Sequence, residues 1–488
     1  MKATCKTLYM AAEEAVVKTA EIPVAEEAAP PDHVENSVVN LYPQIPFQTI
    51  DGFGGAMTES TAWLLSKMPA DTRRELMDYF FGTDGLNMRF IRVHMDSCDY
   101  SLSEYQAVED PIADPELQTF SLKRDQEYIL PMLKEALAAG HEIRVLLSPW
   151  SPPACWKTPP TRKGGNGAIY GLMEDDVSDE PSRCNGGSLK PEYYASWAKY
   201  MVKFVCAYLE EGIPVTMLSV QNEETAATNW DSCVWSAEEE RVFIRDFLYP
   251  EMKKAGISDK VGLYIWDHNK ERAVERALTA FSDKDVRDAV QGIAFHWYSG
   301  DHFEAVELLS RLYPEKVLLS SECCEINLVG FKRSPMASMM GLDKCSDSTL
   351  ELREAVHYAH DIIGNLNAGM QRWIDWNLVL DASGGPRHVK GSGFAATVIA
   401  NPDGTCRKKM SAAYVALIAK SIQPGAVRIG FSRYCDDFDM TAVKNPDDSI
   451  CAIFLNSNEN DTLANIRIEG QLLSLPLPAH TISAVSLN

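Results

Sequence analysis

Long apolar runs are missing from this chain. No stretch of 18 or more apolar residues occurs, which excludes a membrane-spanning helix of ordinary length. Positive charge is also scarce: 46 lysines and arginines stand against 69 aspartates and glutamates, a formal net charge of −23. Nucleic acid and anionic membrane repel such a surface on average, so neither is expected as a partner. The first residues reach Glu13 and Glu14 without a sustained apolar segment. No secretory signal is read there, and a cytoplasmic location is the expectation. Twelve cysteines in 488 residues, with no C-x-x-C pair, make neither a disulfide scaffold nor a zinc ribbon. Reduced, packed thiols are expected, as at Cys206 and Cys451 inside apolar runs.

Several catalytic signatures are absent too. Gly52-Phe-Gly-Gly55 lacks the third glycine of a dinucleotide fingerprint, and there is no Walker sequence, no G-x-S-x-G elbow and no H-E-x-x-H. No cofactor and no metal are expected. His357 and His360 fall three apart on a predicted outer helix and are expected at the surface. The adjacent Cys323 and Cys324 point to opposite faces of a strand, which suits packing better than chelation.

What the chain does have is alternation. From Ile45 onward apolar β runs (48–57, 88–95, 142–150, 215–221, 261–266, 292–298, 316–322 and 369–377) alternate with amphipathic helical runs. The helix over 191–211 shows the logic: Pro191 opens it, Tyr194, Trp197, Met201, Phe204, Val205 and Tyr208 recur at helical spacing, and Gly212 ends it. Another is predicted over 122–139, kinked or divided at Pro131. Eight strands alternating with helices predict an α/β fold, a (β/α)₈ barrel over residues 46–424. Residues 425–488 read as short strands, and residues 1–45 as β segments broken by Ala29-Pro-Pro-Asp32. The two ends are expected to share a β-sandwich side domain. Long loops at 151–190 and 327–348 are expected to build or cover a site.

The C-terminal ends of barrel strands carry chemistry. Here they offer Thr58 and Glu59; Arg92, His94, Asp96 and Asp99; Ser148 and Trp150; Asn222 and Glu223; Asp267 and His268; His296, Trp297 and Tyr298; Glu322; and Trp373 to Asn377. Carboxylates, amides and indoles dominate, the side chains that bind sugar hydroxyls and cover pyranose faces. Two of the carboxylates, Glu223 and Glu322, each end an apolar strand about a hundred residues apart, and a carboxylate pair is what glycosidic hydrolysis needs.

These residues make the chain resemble glycoside hydrolase family 30, most of all its glucosylceramidase-like branch. The motifs run in order: Gly52-Phe-Gly-Gly-Ala-Met-Thr58, Ile91-Arg-Val93 with Ser97-Cys-Asp99, Leu147-Ser-Pro-Trp150, Gln221-Asn-Glu223, Phe295-His-Trp-Tyr298, Ser321-Glu-Cys323 and Ile374-Asp-Trp-Asn377. The resemblance implies a retaining β-glycosidase with Glu223 as acid/base after the fourth strand and Glu322 as nucleophile after the seventh. It further implies that Asn222 contacts the sugar 2-hydroxyl and that Glu59 bonds another hydroxyl. Trp150 and Trp376 would line the sugar subsite, with Arg92, His296 and Tyr298 around the nucleophile. Two residues depart from the family pattern. Glu224 stands where proline is common, either turned inward, where it would raise the acid's pKa, or inert toward solvent. Glu59 stands in place of aspartate, one methylene longer.

A retaining site predicts carboxyl groups about 5–5.5 Å apart. The expected partner is a glycoside, with β-1,6-glucanase, β-xylosidase or β-fucosidase as rival activities. A catalytically silent carbohydrate-binding barrel is the reading from another class. Sequence does not specify the oligomeric state.

Overall fold

Eight apolar runs become strands of one closed parallel barrel, and what fills its interior is one inward layer of side chains. We describe a computed structural model covering residues 1–11, 14–26, 38–159, 180–332, 335–339, 341–389 and 393–488. The barrel strands are labelled β1 (Gly52–Ala56), β2 (Phe90–Met95), β3 (Arg144–Pro149), β4 (Val215–Ser219), β5 (Gly262–Asn269), β6 (Val290–His296), β7 (Val317–Glu322) and β8 (Arg372–Asn377). They pair in sequence order and close β8 on β1. Phe90, Leu146, Met217, Tyr264, Ala294, Leu319 and Ile374 form the inner layer, one from each strand except β1. From β1 comes Gly54, where a Cβ would lie 2.3 Å from the Phe90 carbonyl oxygen, so the glycine makes room for the neighbouring strand. Because barrel strands are buried on both faces, they read as continuous apolar runs rather than as alternation.

The two chain ends build a ten-stranded sheet. Ala3–Ala11 pairs with Thr481–Leu487, and Val38–Ile50 pairs with both Ala426–Ser432 and Thr462–Ile468. The sheet encloses its own core, with Val39, Leu41, Phe454, Ile466, Leu475 and Val485 buried together. The N-terminal strands thus complete the C-terminal sandwich. The expected boundary at 45/46 falls within one strand, since Val38–Ile50 stays paired to Ala426 as far as Ile50 before β1 begins. The expected run 48–57 is therefore two strands in two sheets, divided at Asp51.

Several elements differ from expectation for local reasons. The helix predicted over 122–139 is Ile129–Ala139, with Pro131 in its first turn, where its missing N–H costs nothing. The helix Glu59–Lys67 was not predicted; Thr58 caps it by accepting from the Thr61 amide. Met410–Ser421 and the strand Gln471–Leu477 were likewise not anticipated. His357 and His360 are not plain surface residues. His357 stacks on Trp297 at 4.3 Å, and His360 bridges Asp301 and Asp439. The barrel's last long helix, Asp347–Ala368, packs against the sandwich strand Asp439–Lys444, which partly covers His360, while Trp297 and Glu325 partly cover His357. Residues 29–32 and most of the first long loop, 160–179, lie outside the described residues, as do 333–334 and 340 of the second. Among the described residues no helix is long and apolar enough to cross a membrane.

Two measurements check this arrangement. Deleting residues 1–40 removes the strand paired to Thr481–Leu487 and the start of Val38–Ile50, so the truncated protein should be insoluble or lack cooperative unfolding; a soluble, cooperatively folded deletion contradicts a shared sandwich. His360 should give a pH-dependent clasp between the domains. Its hydrogen bond to Asp439 raises it to about 9 against partial burial, from about 6.5 when unfolded. The stabilisation is then complete below about pH 6.5 and lost as pH rises toward 9. His360→Gln should accordingly lower the Tm at pH 6 more than at pH 9.5.

Candidate active site

Three of the eight strands carry an extra, unpaired residue at their C-terminal ends. In β5 Trp266 faces Ala294 and His268 faces Phe295, leaving Asp267 between. In β7 Ser321 is the extra residue, and in β8 it is Trp376. Such bulges bend a strand and re-aim its side chains. Trp266, Asp267, Glu223 and Asp96 take positive φ angles of 75, 45, 48 and 60°. Non-glycine residues hold that conformation only where surrounding structure over-determines it.

The bulges converge on Arg92, which is completely buried at the rim of β2. Its Nε donates to Ser148 Oγ (3.1 Å), and its Nη2 to Asn222 Oδ1 (2.7 Å) and Asp267 Oδ2 (2.8 Å). Nη1 makes a short ion pair with Glu322. One guanidinium therefore ties β2, β3, β4, β5 and β7 together. Asp267 accepts from Ser219 and Ser321 at 2.7 and 2.5 Å and contacts His296 Nε2 at 3.1 Å. Burial pushes its carboxyl up, but Arg92, His296 and Ser321 outweigh that and hold it well below the usual range.

Glu322 receives a second donor, Tyr298 Oη at 2.8 Å. Burial, joined by the charge of Glu223, leaves its carboxyl raised above the ordinary glutamate range, although His296, Arg92 and Tyr298 favour its ionised form. Glu223 sits on the loop after β4, placed by its amide on the Asp267 carbonyl (2.9 Å) and by the Asn222 amide on the Pro149 carbonyl (2.8 Å). Its Oε1 lies 3.3 Å from His296 Nδ1 and 3.7 Å from His268 Nδ1. Burial raises Glu223, yet these imidazoles and Arg92 bring it below the ordinary glutamate range. His296 is lifted to about 9: burial opposes the rise, and Glu322, Asp267 and Glu223 drive it. At neutral pH a proton therefore rests on His296, one hydrogen bond from Glu223.

The cavity above these groups has a volume of about 180 Å³. Trp150, Trp230 and Phe394 give it apolar walls, and Asp99, Asn222, Glu223, His268, Asn269, Tyr298 and Glu322 give it polar ones. Trp376 stands behind Trp150, the indoles stacked at 5.3 Å and 22°, with the Arg92 guanidinium over both rings. The structure thus brings Arg92, Trp150, Asn222, Glu223, His296, Tyr298, Glu322 and Trp376 to one rim.

Glu59 is placed otherwise than expected. Fully buried in the first turn of Glu59–Lys67, its carboxylate pairs with Arg124 at 2.5 Å and accepts from the Leu102 amide at 2.7 Å. Both oxygens are committed away from the cavity, so it does not present a sugar-hydroxyl partner. Glu224 adopts neither orientation considered for it. It is fully buried in a short ion pair with Arg276, which also contacts Glu240 and donates to the Trp235 carbonyl. Where the resemblance led to an expected proline, the chain carries a charge with its own counter-ion, next to Glu223.

Residues that strand-end reasoning did not assign to the site are Asp99, Asp267, His268, Asn269, Trp230 and Phe394. The first three stood at recognised strand ends, which was the available signal; Trp230 comes from a loop and Phe394 from the two-residue strand Phe394–Ala395, both too short of periodicity to show a destination. Among the described residues two side-chain groups converge closely enough to ligate an ion, Cys184–Asp231–His388 and Glu223–His268–His296. In the first, contacts among the members and their neighbours already engage the polar atoms, as Asp231 does with His388 and Arg183; in the second, His268 Nδ1 stands 3.7 Å from Glu223 Oε1 and has no hydrogen-bond partner among the described residues.

Residues 50–416 match the model of the glycosyl hydrolase family 30 TIM-barrel domain, and residues 425–485 that of the family's beta sandwich domain. The chain is 30% identical over 438 residues to the lysosomal acid glucosylceramidase of Mus musculus, covering 87% of this chain and 78% of that protein. Among solved structures, SrfJ from Salmonella typhimurium superposes with a TM-score of 0.87 at 29% identity, each chain covered completely. The endo-beta1,6-glucanase BT3312 gives a TM-score of 0.80 at 25% identity, with 99% of each chain covered. A closed eight-stranded barrel with two carboxylates at its C-terminal rim, a sandwich shared by both chain ends, and these matches over nearly the whole length have one conclusion: the chain belongs to glycosyl hydrolase family 30.

Proposed function

We propose that this glycoside hydrolase is an exo-acting retaining β-glycosidase, hydrolysing a β-D-glucoside or a closely related β-sugar. Glu322 is assigned as nucleophile and Glu223 as acid/base. The observation that carries the reading is the asymmetry of the two carboxyls. Glu322 accepts from a guanidinium and a phenol, which suits a charged nucleophile, whereas Glu223 faces imidazoles that can exchange a proton with it.

In the first step a Glu322 oxygen attacks the anomeric carbon and the glycosidic C–O bond breaks. Glu223 protonates the departing oxygen, its proton drawn from His296 as the substrate displaces water. In the second step Glu223 takes a proton from water, whose oxygen displaces Glu322 and regenerates the anomeric configuration. Asn222 Oδ1, fixed by Arg92, leaves its amide nitrogen to donate to a sugar hydroxyl.

Exo action is supported by the cavity, which at about 180 Å³ is smaller than the roughly 300–1,000 Å³ typical of drug-sized ligands. It suits one sugar ring, with the leaving group toward the 226–230 loop. The likeness to the endo-beta1,6-glucanase BT3312 supports internal cleavage as the second reading. Product analysis on β-linked oligosaccharides decides: monosaccharide release from the first time points is expected, and internal cleavage alone would exclude exo action.

Two variants test the roles. Glu322→Gln should lower kcat by about 10⁴-fold or more with the fold intact and the Tm lowered by the lost ion pair with Arg92, since among the described residues no other carboxylate is so held for attack. Glu223→Ala should lose about 10²–10⁴-fold on glycosides with poor leaving groups and recover part of that with azide, which needs no general base. NMR of the first-formed sugar should show the β anomer; an α anomer would mean inversion.

A further inference from the structure

Asp231 is fully buried on the loop after β4, next to Trp230 of the cavity wall, and its two oxygens have different company. Oδ1 accepts from Ser97 Oγ (2.7 Å) and from Arg183 Nε (3.1 Å). Oδ2 faces Cys184 Sγ at 3.7 Å and His388 Nε2 at 3.0 Å. Each of those two atoms has a second acceptor that is nearer: Glu104 Oε2 lies 3.4 Å from the thiol, and the Cys98 carbonyl oxygen 2.9 Å from the imidazole. A thiol carries one hydrogen and an imidazole nitrogen one, so four contacts share two hydrogens. A buried oxygen left with shared donors is costly, and a cation among these groups satisfies every contact at once.

We propose that Cys184, Asp231, His388 and Glu104 form a binding site for a zinc-type divalent ion, separate from the catalytic carboxylates. The donor set is one thiolate, one imidazole and two carboxylates. Borderline ions such as zinc accept that mixture, whereas calcium and magnesium take oxygen ligands. The spacing fits too. Ordinary zinc–sulfur and zinc–nitrogen or –oxygen bonds put neighbouring ligands of a tetrahedron about 3.3–3.6 Å apart. Here Oδ2 to Nε2 is 3.0 Å, Sγ to Glu104 Oε2 is 3.4 Å and Sγ to Oδ2 is 3.7 Å. The ligand atoms of Cys184, Asp231 and His388 all lie within 4.8 Å of one another.

The neighbours leave room for the charge. Arg183 stays on the Oδ1 side and is shared with Asp96 at 3.6 Å, while the Lys157 ammonium donates to the carbonyls of Ser182, Arg183 and Ser232. Ser97 and Arg183 hold the Asp231 carboxylate in orientation, as outer partners of metal ligands do. Cys184 and His388 are partly exposed and Glu104 is exposed, which gives an ion its way in. On binding, the metal replaces the thiol proton, which passes to solvent, and His388 Nε2 exchanges the Cys98 carbonyl for the ion. The four ligands come from the loops after β2, β3, β4 and β8. The ion therefore clasps four loops around the cavity beside Trp230, and acts as a stabilising clamp rather than as a catalytic group.

The probes are zinc and cobalt(II), added to the full chain after chelator treatment. Cys184→Ser and His388→Ala remove ligands, and Cys155→Ser, at an exposed cysteine, is the control. Wild type and Cys155→Ser should bind one zinc per chain and show the thiolate-to-cobalt charge-transfer band with the intense visible bands of tetrahedral cobalt. Cys184→Ser should lose the charge-transfer band, and it and His388→Ala should each bind zinc at least about tenfold more weakly. Zinc should raise the Tm of wild type and control and leave that of the two ligand variants unmoved. The metal-free Tm shows that each variant folds, and either variant alone carries the comparison. No charge-transfer band in the wild type, a band that survives Cys184→Ser, or an equal zinc-induced rise in Tm in all four proteins would overturn the site. Zinc that survives both substitutions and blocks turnover would seat the ion on Glu223–His268–His296 and overturn it as well.

Discussion

The Arg92 guanidinium is the constraint on which the rest of the site depends. It is a full positive charge with no solvent contact, and an unpaired charge so placed costs several kcal/mol. Its donors are met by Ser148, Asn222, Asp267 and Glu322, each from a different strand end. To reach it, β5 and β7 each need an extra residue, and the positive φ of Trp266 and Asp267 is the local cost of that reach. Removing Arg92 would leave Asp267 and Glu322 as buried like charges, a loss of about 3–5 kcal/mol for a broken buried pair. The same contact that holds the barrel rim together favours the ionised form of Glu322 against its burial, so stability and reactivity share one interaction.

From Arg92 the order of protonation follows outward. Asp267 holds its charge because the guanidinium sits against it, and the same cation favours the ionised form of Glu322 against the burial that raises it. His296, caught between Asp267 and Glu223, gains a proton in consequence. Asp99, raised to about 8 by burial and by the charges of Glu322 and Glu223, keeps its proton instead. Groups of the same type thus take different roles within one cavity because their burial and charged neighbours differ.

Much of this was legible in the chain. Parallel barrel strands are buried on both faces, so each appears as an unbroken apolar run, and a carboxylate at the end of such a run announces itself. That is why Glu223 and Glu322 could be named from sequence, and the sandwich from its short strands. What stayed hidden depends on pairing. A bulge is a mismatch between two strands, so neither the sequence of β5 nor that of β6 shows that Asp267 turns inward beneath His296. Glu59 could not be placed because its partner, Arg124, lies 65 residues on in a segment without regular structure. Glu224 could not be understood without Arg276, which arrives from the helix Ala273–Ala280.

The central claim is that the charged carboxylate held by Arg92 and Tyr298 forms the bond to the sugar. Incubation with an activated 2-deoxy-2-fluoro β-glycoside tests it most directly, because the fluorine slows release of the covalent intermediate. Intact-protein mass should rise by one fluorosugar per chain, and peptide mapping should put the adduct on Glu322. An adduct on Glu223, Asp99 or any other residue, or turnover of the probe's parent glycoside with no adduct at all, would contradict the account.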